Sequence, residues 1–440
     1  MVRLASLFAA LFLSTNASAQ PARDAALPEG WDGARLLALI DGDMSATAYA
    51  DGKLYPIGDA KDLVAVIGKD DGGVRYSPTA VPNTVMGWPG SMAVSNDGRR
   101  AFVISSRKGM ARSVDKVKGG VFEAFPLHDA LTIISTQTSE TLNAARVCEK
   151  PLSIDLSPDN KWALIACGDA KGELAVAPIT DDGIGAVRIF DLAAPTYTDA
   201  ENDEGATYAV VHPSGAAAGV VLNNRAVTLV RFDLDTDGVP VAAKAETPTQ
   251  TKSWLSVARW TASGAYLLVS DVAWGPRPLD AVFNKAGAIL SFALAPDGSA
   301  RGVTSKARVS KSPEAFDLNR TGDLLVAVNM ERTYLPGGAM SIFRGRSASS
   351  LSLVSVDPAT GALKTLGKPV RFRGVLPEDA VFDADGDRIA AIVYQDHNKP
   401  RSDGWITFFR IDGDGDNRRL TETGARIPLP RGGHDLAVID

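Results

Sequence analysis

The chain has 440 residues, 45% of them apolar and 22% charged, with a formal net charge of −6. This balance allows a packed core and leaves no basic footprint for nucleic acid. Cys148 and Cys167 are its two cysteines, too few for a disulfide framework.

The chain begins MVRLASLFAALFLSTNASA, with a positive residue (Arg3), an apolar run over 4–13 and Ala17-Ser18-Ala19 as a small-x-small cleavage site. That order is the pattern of a secretory signal peptide spanning 1–19. Export to the periplasm or beyond is therefore expected, with no membrane insertion, because no later apolar run is long enough to span a bilayer. Loss of Arg3 takes the charge from −6 to −7. In an oxidising compartment Cys148 and Cys167 form either one bridge or two buried thiols.

After a lead-in over 20–33 come two strand-like runs, ARLLALIDG (34–42) and DLVAVIG (62–68). Six copies of one pattern follow, each an apolar run, a tight polar turn and a second apolar run. They are SMAVSNDGRRAFVISSR (91–107), SIDLSPDNKWALIACGD (153–169), YAVVHPSGAAAGVVLNNR (208–225), VARWTASGAYLLVSD (257–271), AFDLNRTGDLLVAVNME (315–331) and DAVFDADGDRIAAIVYQD (379–396). Each turn ends in Gly or Asn, residues that tolerate the left-handed backbone of a tight hairpin. A seventh copy, HDLAVID (434–440), stops where its turn would begin.

Taking Ser95, Ser157, His212, Thr261, Asn319, Asp383 and Ile439 as equivalent, the intervals are 62, 55, 49, 58, 64 and 56 residues. Two further strand-like runs fit between successive hairpins. Four strands per interval, seven times over, predict an all-β, seven-bladed β-propeller spanning 34–440 as a single domain. The truncated last copy predicts the closure: the C-terminal run is the inner strand of a blade whose outer strands come from 34–42 and 62–68. Because the ring closes on itself, a monomer is expected.

Segments such as IPLPRGGHDLAVID and LPEDAVFDADGDRIA resemble the lactonase-like, YVTN-type seven-bladed propeller superfamily. The resemblance covers nearly the whole chain after the signal peptide and lies in structural residues, so it implies the fold more than an activity.

Each hairpin places its turn at one end of the ring. The extra residues collect at the other end, in 108–130, 274–287, 332–350 and 397–405. Residues 107–119 carry five cations against Asp115. Long, basic loops on one face of a rigid scaffold point to a binding surface for an anionic small molecule or an acidic envelope protein. The candidate ligand-binding residues are Arg107, Arg332, Arg344, Arg346, Asp396 and His397. Charged loops that are merely solvated are the alternative.

The links into the inner strands place Glu314, Glu378, Asp379, His434 and Asp435 near one mouth of the channel. Glu314, Glu378, Asp379 and Asp435 are candidate ligands for a divalent metal (Ca, Mn or Zn), and Glu378, His434 and Glu314 are candidate catalytic residues. The regucalcin–gluconolactonase propellers, of related architecture, resemble this in placing carboxylates around a metal over the channel. Two functions follow as expectations: a binding module on the loop face, or a lactonase- or esterase-type hydrolase at the channel mouth. Acids that are simply hydrated are the structural alternative. DGDGDN (412–417) departs from a calcium-binding loop, since Asn417 stands where Gly is required, and it reads as a turn. The sequence contains no G-x-S-x-G, H-E-x-x-H or C-x-x-C-H motif.

Overall fold

A computed structural model describes residues 27–439, apart from 32, 71–72, 169–171, 193–204, 276, 295–299, 338–340, 345–347 and 398. The signal-peptide reading and Arg346 lie outside the described residues.

Seven antiparallel sheets, each built on a path of four strands, stand in a ring. Blade 6 shows the plan, with strands A to D at Ala380–Phe382, Arg388–Val393, Gly404–Asp412 and Arg419–Leu429 running outward from the channel. The inner strands of neighbouring blades pack side by side around the whole circle. Blade 7 closes the ring. Its inner strand is the C-terminal Gly433–Ile439, paired with Arg35–Ile40, then Leu63–Asp70 and Gly73–Ala80. The N-terminal region therefore supplies three strands, one more than the two runs visible in the sequence. Gly73–Ala80 escaped because it lies mostly half-exposed on the outer edge and lacks an apolar run.

The hairpin turns explain their own composition. In five of the six, the first side chain accepts the backbone N–H five residues on: Ser95 from Arg100, Ser157 from Trp162, Thr261 from Tyr266, Asn319 from Leu324 and Asp383 from Arg388. The fourth place has positive φ every time, from 57° at Asn160 to 75° at Gly386. A short polar residue at the first place and Gly or Asn at the fourth are thus both demanded by the backbone. Between the turns, both faces of the central strands are buried, as at Arg388–Val393, because each blade is sandwiched between two others. DGDGDN falls in a C–D turn, where Gly415–Asn417 forms one 3₁₀ turn.

The long loops do not stand open. The blade-1, blade-4 and blade-5 insertions, with residues 41–54, 85–86, 375–376 and Tyr394, form a cap with its own apolar core of Met44, Val85, Val121, Val282, Met330, Tyr334, Leu376 and Tyr394. Four short helices belong to it: α1 (Ala48–Asp51), α2 (Val121–Ala124), α3 (Pro278–Val282) and α4 (Ser341–Arg344). Trp274 joins its elements, with ring centroids 6.0 Å from Trp88 and 5.5 Å from Tyr334. Leu376 takes a left-handed conformation (φ 48°) that a bulky side chain rarely adopts. It is held there by its burial and by its N–H donating to the Thr333 hydroxyl. No helix among the described residues is long and apolar enough to cross a membrane.

Candidate functional site

The carboxylates singled out in the sequence do converge on the channel, but they form two sets with different surroundings. Glu314, on the inner strand of blade 5, and Glu378, just before the inner strand of blade 6, are both buried and act on each other electrostatically. Burial pushes Glu314 up to about 8. Glu378, 3% exposed, is driven well above the carboxylate range by burial and then by the charge of Glu314. His434 donates Nε2–H to Asn83 Oδ1 at 2.8 Å; the Asn83 amide is oriented by bonds to Ile40 O and Val81 O. Burial lowers His434 to about 3 and keeps the imidazole neutral. These three side chains lie under the cap. None lines a cavity described below.

Asp379 and Asp435 form the second pair, both raised by burial, Asp435 to about 6, and Asp379 further by the charge of Asp435. They face a cavity of about 600 Å³ that runs along the channel from Gly90 and Asp435 to Asn96, Pro158 and Pro213 at the hairpin turns. The accessible channel therefore extends toward the turn end, opposite to the loop end expected from loop length. The physical reason is the cap, whose apolar core covers the loop end.

Both aspartates have a structural task. Asp379 Oδ2 accepts the N–H of Leu436 in blade 7, and Asp435 Oδ2 accepts those of Gly90 and Met92 at blade 1. Asp155 accepts from Val211 and Asp317 from Phe382, while Arg259 donates to Phe316 O. Each bond joins one inner strand to the next. The sequence reading missed this ring of clasps. Its signal was present: Asp155, Arg259 and Asp317 stand two places before the equivalent turn position, and Asp379 and Asp435 four places before it.

Glu314, Glu378, Asp379, His434 and Asp435 bring no three ligand atoms within 4.8 Å of one another. Among the described residues one set does, Asp41, Asp43 and Asp62. The sequence reading did not find it, because its members come from two segments of blade 7. These carboxylates are already engaged. Asp41 accepts the N–H groups of Asp43, Met44 and Val85, Asp62 accepts that of Gly42, and Asp43 pairs with Arg112 at 3.3 Å. The set pins a loop through its own backbone, and burial together with the mutual repulsion of the acids raises Asp43 to about 6 and Asp62 to about 8.

The basic candidates are mostly internal ties. Buried Arg107 donates to Phe125 O. Arg332 bonds both the side-chain and backbone oxygens of Asn284, and Phe343 O. Asp396 accepts a fork from Arg373 and pairs with Lys399, which against the cost of partial burial hold it down at about 2. Arg344 and His397 come together. Arg344, 6% exposed, donates Nε–H to Leu335 O at 2.6 Å and Nη1–H to the His397 ring at 2.8 Å. Partial burial, then the Arg344 charge, lowers His397 below its usual value. With Thr47, Tyr55, Thr333 and Gln395 they line a cleft of about 180 Å³ in the cap. Cys148 and Cys167 form a disulfide with Cα atoms 6.0 Å apart, tying the entry of blade 2 to the end of its second strand.

No protein-family model and no curated protein matches this chain. Solved structures do. A protein of Bacteroides fragilis NCTC 9343, provisionally named a 6-phosphogluconolactonase, is 14% identical with a TM-score of 0.60 over 94% of this chain and 100% of its own. Its counterpart from Bacteroides uniformis ATCC 8492 gives 15%, 0.58, 92% and 99%. A protein of unknown function from Desulfotomaculum acetoxidans DSM 771 gives 9%, 0.54, 92% and 98%. At such identities the likeness concerns the fold. The chain is a seven-bladed β-propeller, the fold it shares with these structures.

Proposed function

We propose that this is an exported binding propeller that holds a small anionic molecule in the cap, in the cleft of Arg344 and His397. One observation carries the reading: a buried guanidinium, an imidazole kept neutral and the Gln395 amide line the same small cavity, with Asp51 the one acid in its lining. Guanidinium N–H groups suit a carboxylate or phosphate geometrically, and low local polarity strengthens each bond. At about 180 Å³ the cleft is below the usual range for larger ligands, which favours a compact acid. The leader-like start and the disulfide support export.

The alternative, a lactone hydrolase using Glu378, His434 and Glu314, draws on the names of two structural neighbours. Against it stands the cap, beneath which all three side chains are buried. Calorimetric titration with inorganic phosphate, malonate and gluconate 6-phosphate tests the binding reading. Arg344→Gln is expected to weaken the tightest of them by about tenfold or more, the loss of one charged hydrogen-bond donor. Unchanged binding in that variant, or lactone turnover that vanishes in Glu378→Gln, would overturn it.

A further inference from the structure

The cap is apolar inside, and in four places it is apolar outside as well. Ile342 of α4 is 78% exposed, Leu279 of α3 is 64% exposed, and Phe283 just after α3 is 59% exposed. Phe283 and Phe343 meet ring to ring at 5.4 Å, so the ends of α3 and α4 form one patch. Phe122 of α2 is the fourth, half-exposed in the blade-1 insertion.

Cations border these side chains. Lys285 follows Phe283 by two residues and is exposed. Lys311 pairs across the sheet with Ala286, which places it beside Lys285. Arg332 ties the two helices together through Asn284 and Phe343 O, adding its charge at the same spot. Lys311 is lowered by burial and then by the positive charge of Arg332, as expected where cations crowd together. Around Phe122, Lys116 and Lys118 are exposed, and Asp115 is paired with Arg401.

Protruding apolar side chains on short helices, with Lys285, Lys311 and Arg332 beside the α3–α4 patch and Lys116 and Lys118 near Phe122, where Glu123 is the exposed acid, are chemically unlike a groove for a peptide. They match the boundary of a bilayer, where apolar tips enter the acyl region and lysines meet anionic headgroups. We propose that the cap is a peripheral membrane-docking surface for an anionic bilayer, touching it without spanning.

The test is co-sedimentation of the full chain after signal cleavage with vesicles of phosphatidylcholine alone or mixed with phosphatidylglycerol, at low and high salt. Binding is expected to the anionic vesicles, to fall with salt, and to drop on the order of tenfold in Ile342→Ser/Phe283→Ser. Lys285→Gln should lower it about fivefold. Because these side chains are exposed, the variants keep the fold, which thermal melts check. Absence of binding to the anionic vesicles at low salt overturns the proposal, as does binding indifferent to these substitutions. If instead light scattering finds a dimer that Ile342→Ser dissolves and no vesicle binding, the patch belongs to a second copy.

Discussion

Asp435 shows how much one carboxylate carries in this fold. Its Oδ2 accepts two backbone N–H groups of blade 1, and its Oδ1 accepts Leu436 N–H. Removing it strands buried donors at the place where the ring closes. Asp435→Ala is expected to lose about 2–5 kcal/mol in denaturant unfolding, at roughly 1–3 kcal/mol per orphaned group. Asp435→Asn keeps a carbonyl acceptor and should lose clearly less; equal losses would show that the clasp is not what matters. The positions of these acids could be read from the repeats, since they recur at fixed distances before the turn. Their role could not, because an acid beside a channel and an acid bonded to the next blade's backbone have the same spelling. Arg344 and His397 were found for their charge and loop position, but their contact depends on how α4 packs against residue 397, 53 positions away.

At the scale of elements, hairpins were legible and loops were not. A turn such as DADG states its own geometry through a capping side chain and a left-handed glycine. The insertions state only that they are long. Their apolar residues, such as Val121, Val282 and Leu335, look like any loop residues until seven segments bring them together in one core. The disulfide sits between these cases: antiparallel pairing made it possible, and the structure contains it. It closes a separation of 19 residues. Cys148→Ser/Cys167→Ser, or reduction, should cost about 3 kcal/mol in the denaturant midpoint if the loop-closure argument holds. A loss under about 1 kcal/mol would assign the bridge to another purpose.

For the whole molecule, ring and cap together decide what solvent can reach. The clasp of a C-terminal inner strand against three N-terminal strands makes closure depend on both ends of the domain. The cap then buries acids that, in an open channel mouth, would be hydrated and ordinary. That burial has a consequence for pH. Glu314 titrates near 8 in the fold against 4.5 when unfolded, and Asp62 near 8 against 3.8. Between those values the native state keeps protons that the unfolded chain gives up, so stability declines as pH rises from about 5 to 8. His434 acts in the opposite sense, losing stability as pH falls from 6.5 toward 3. The maximum should therefore lie on the acidic side of neutrality.

The most direct measurement is a series of thermal melts from pH 5 to 8 on the wild type and on Glu314→Gln/Glu378→Gln. A sealed cap predicts a wild-type midpoint that falls with rising pH, and a variant whose decline is visibly shallower and whose midpoint at pH 8 is higher. A wild-type midpoint that is flat or rises across that range, unchanged in slope by the substitutions, would mean the two carboxyls titrate as hydrated groups. The channel mouth would then be open at the loop end, contradicting a cap that seals Glu314 and Glu378 from water.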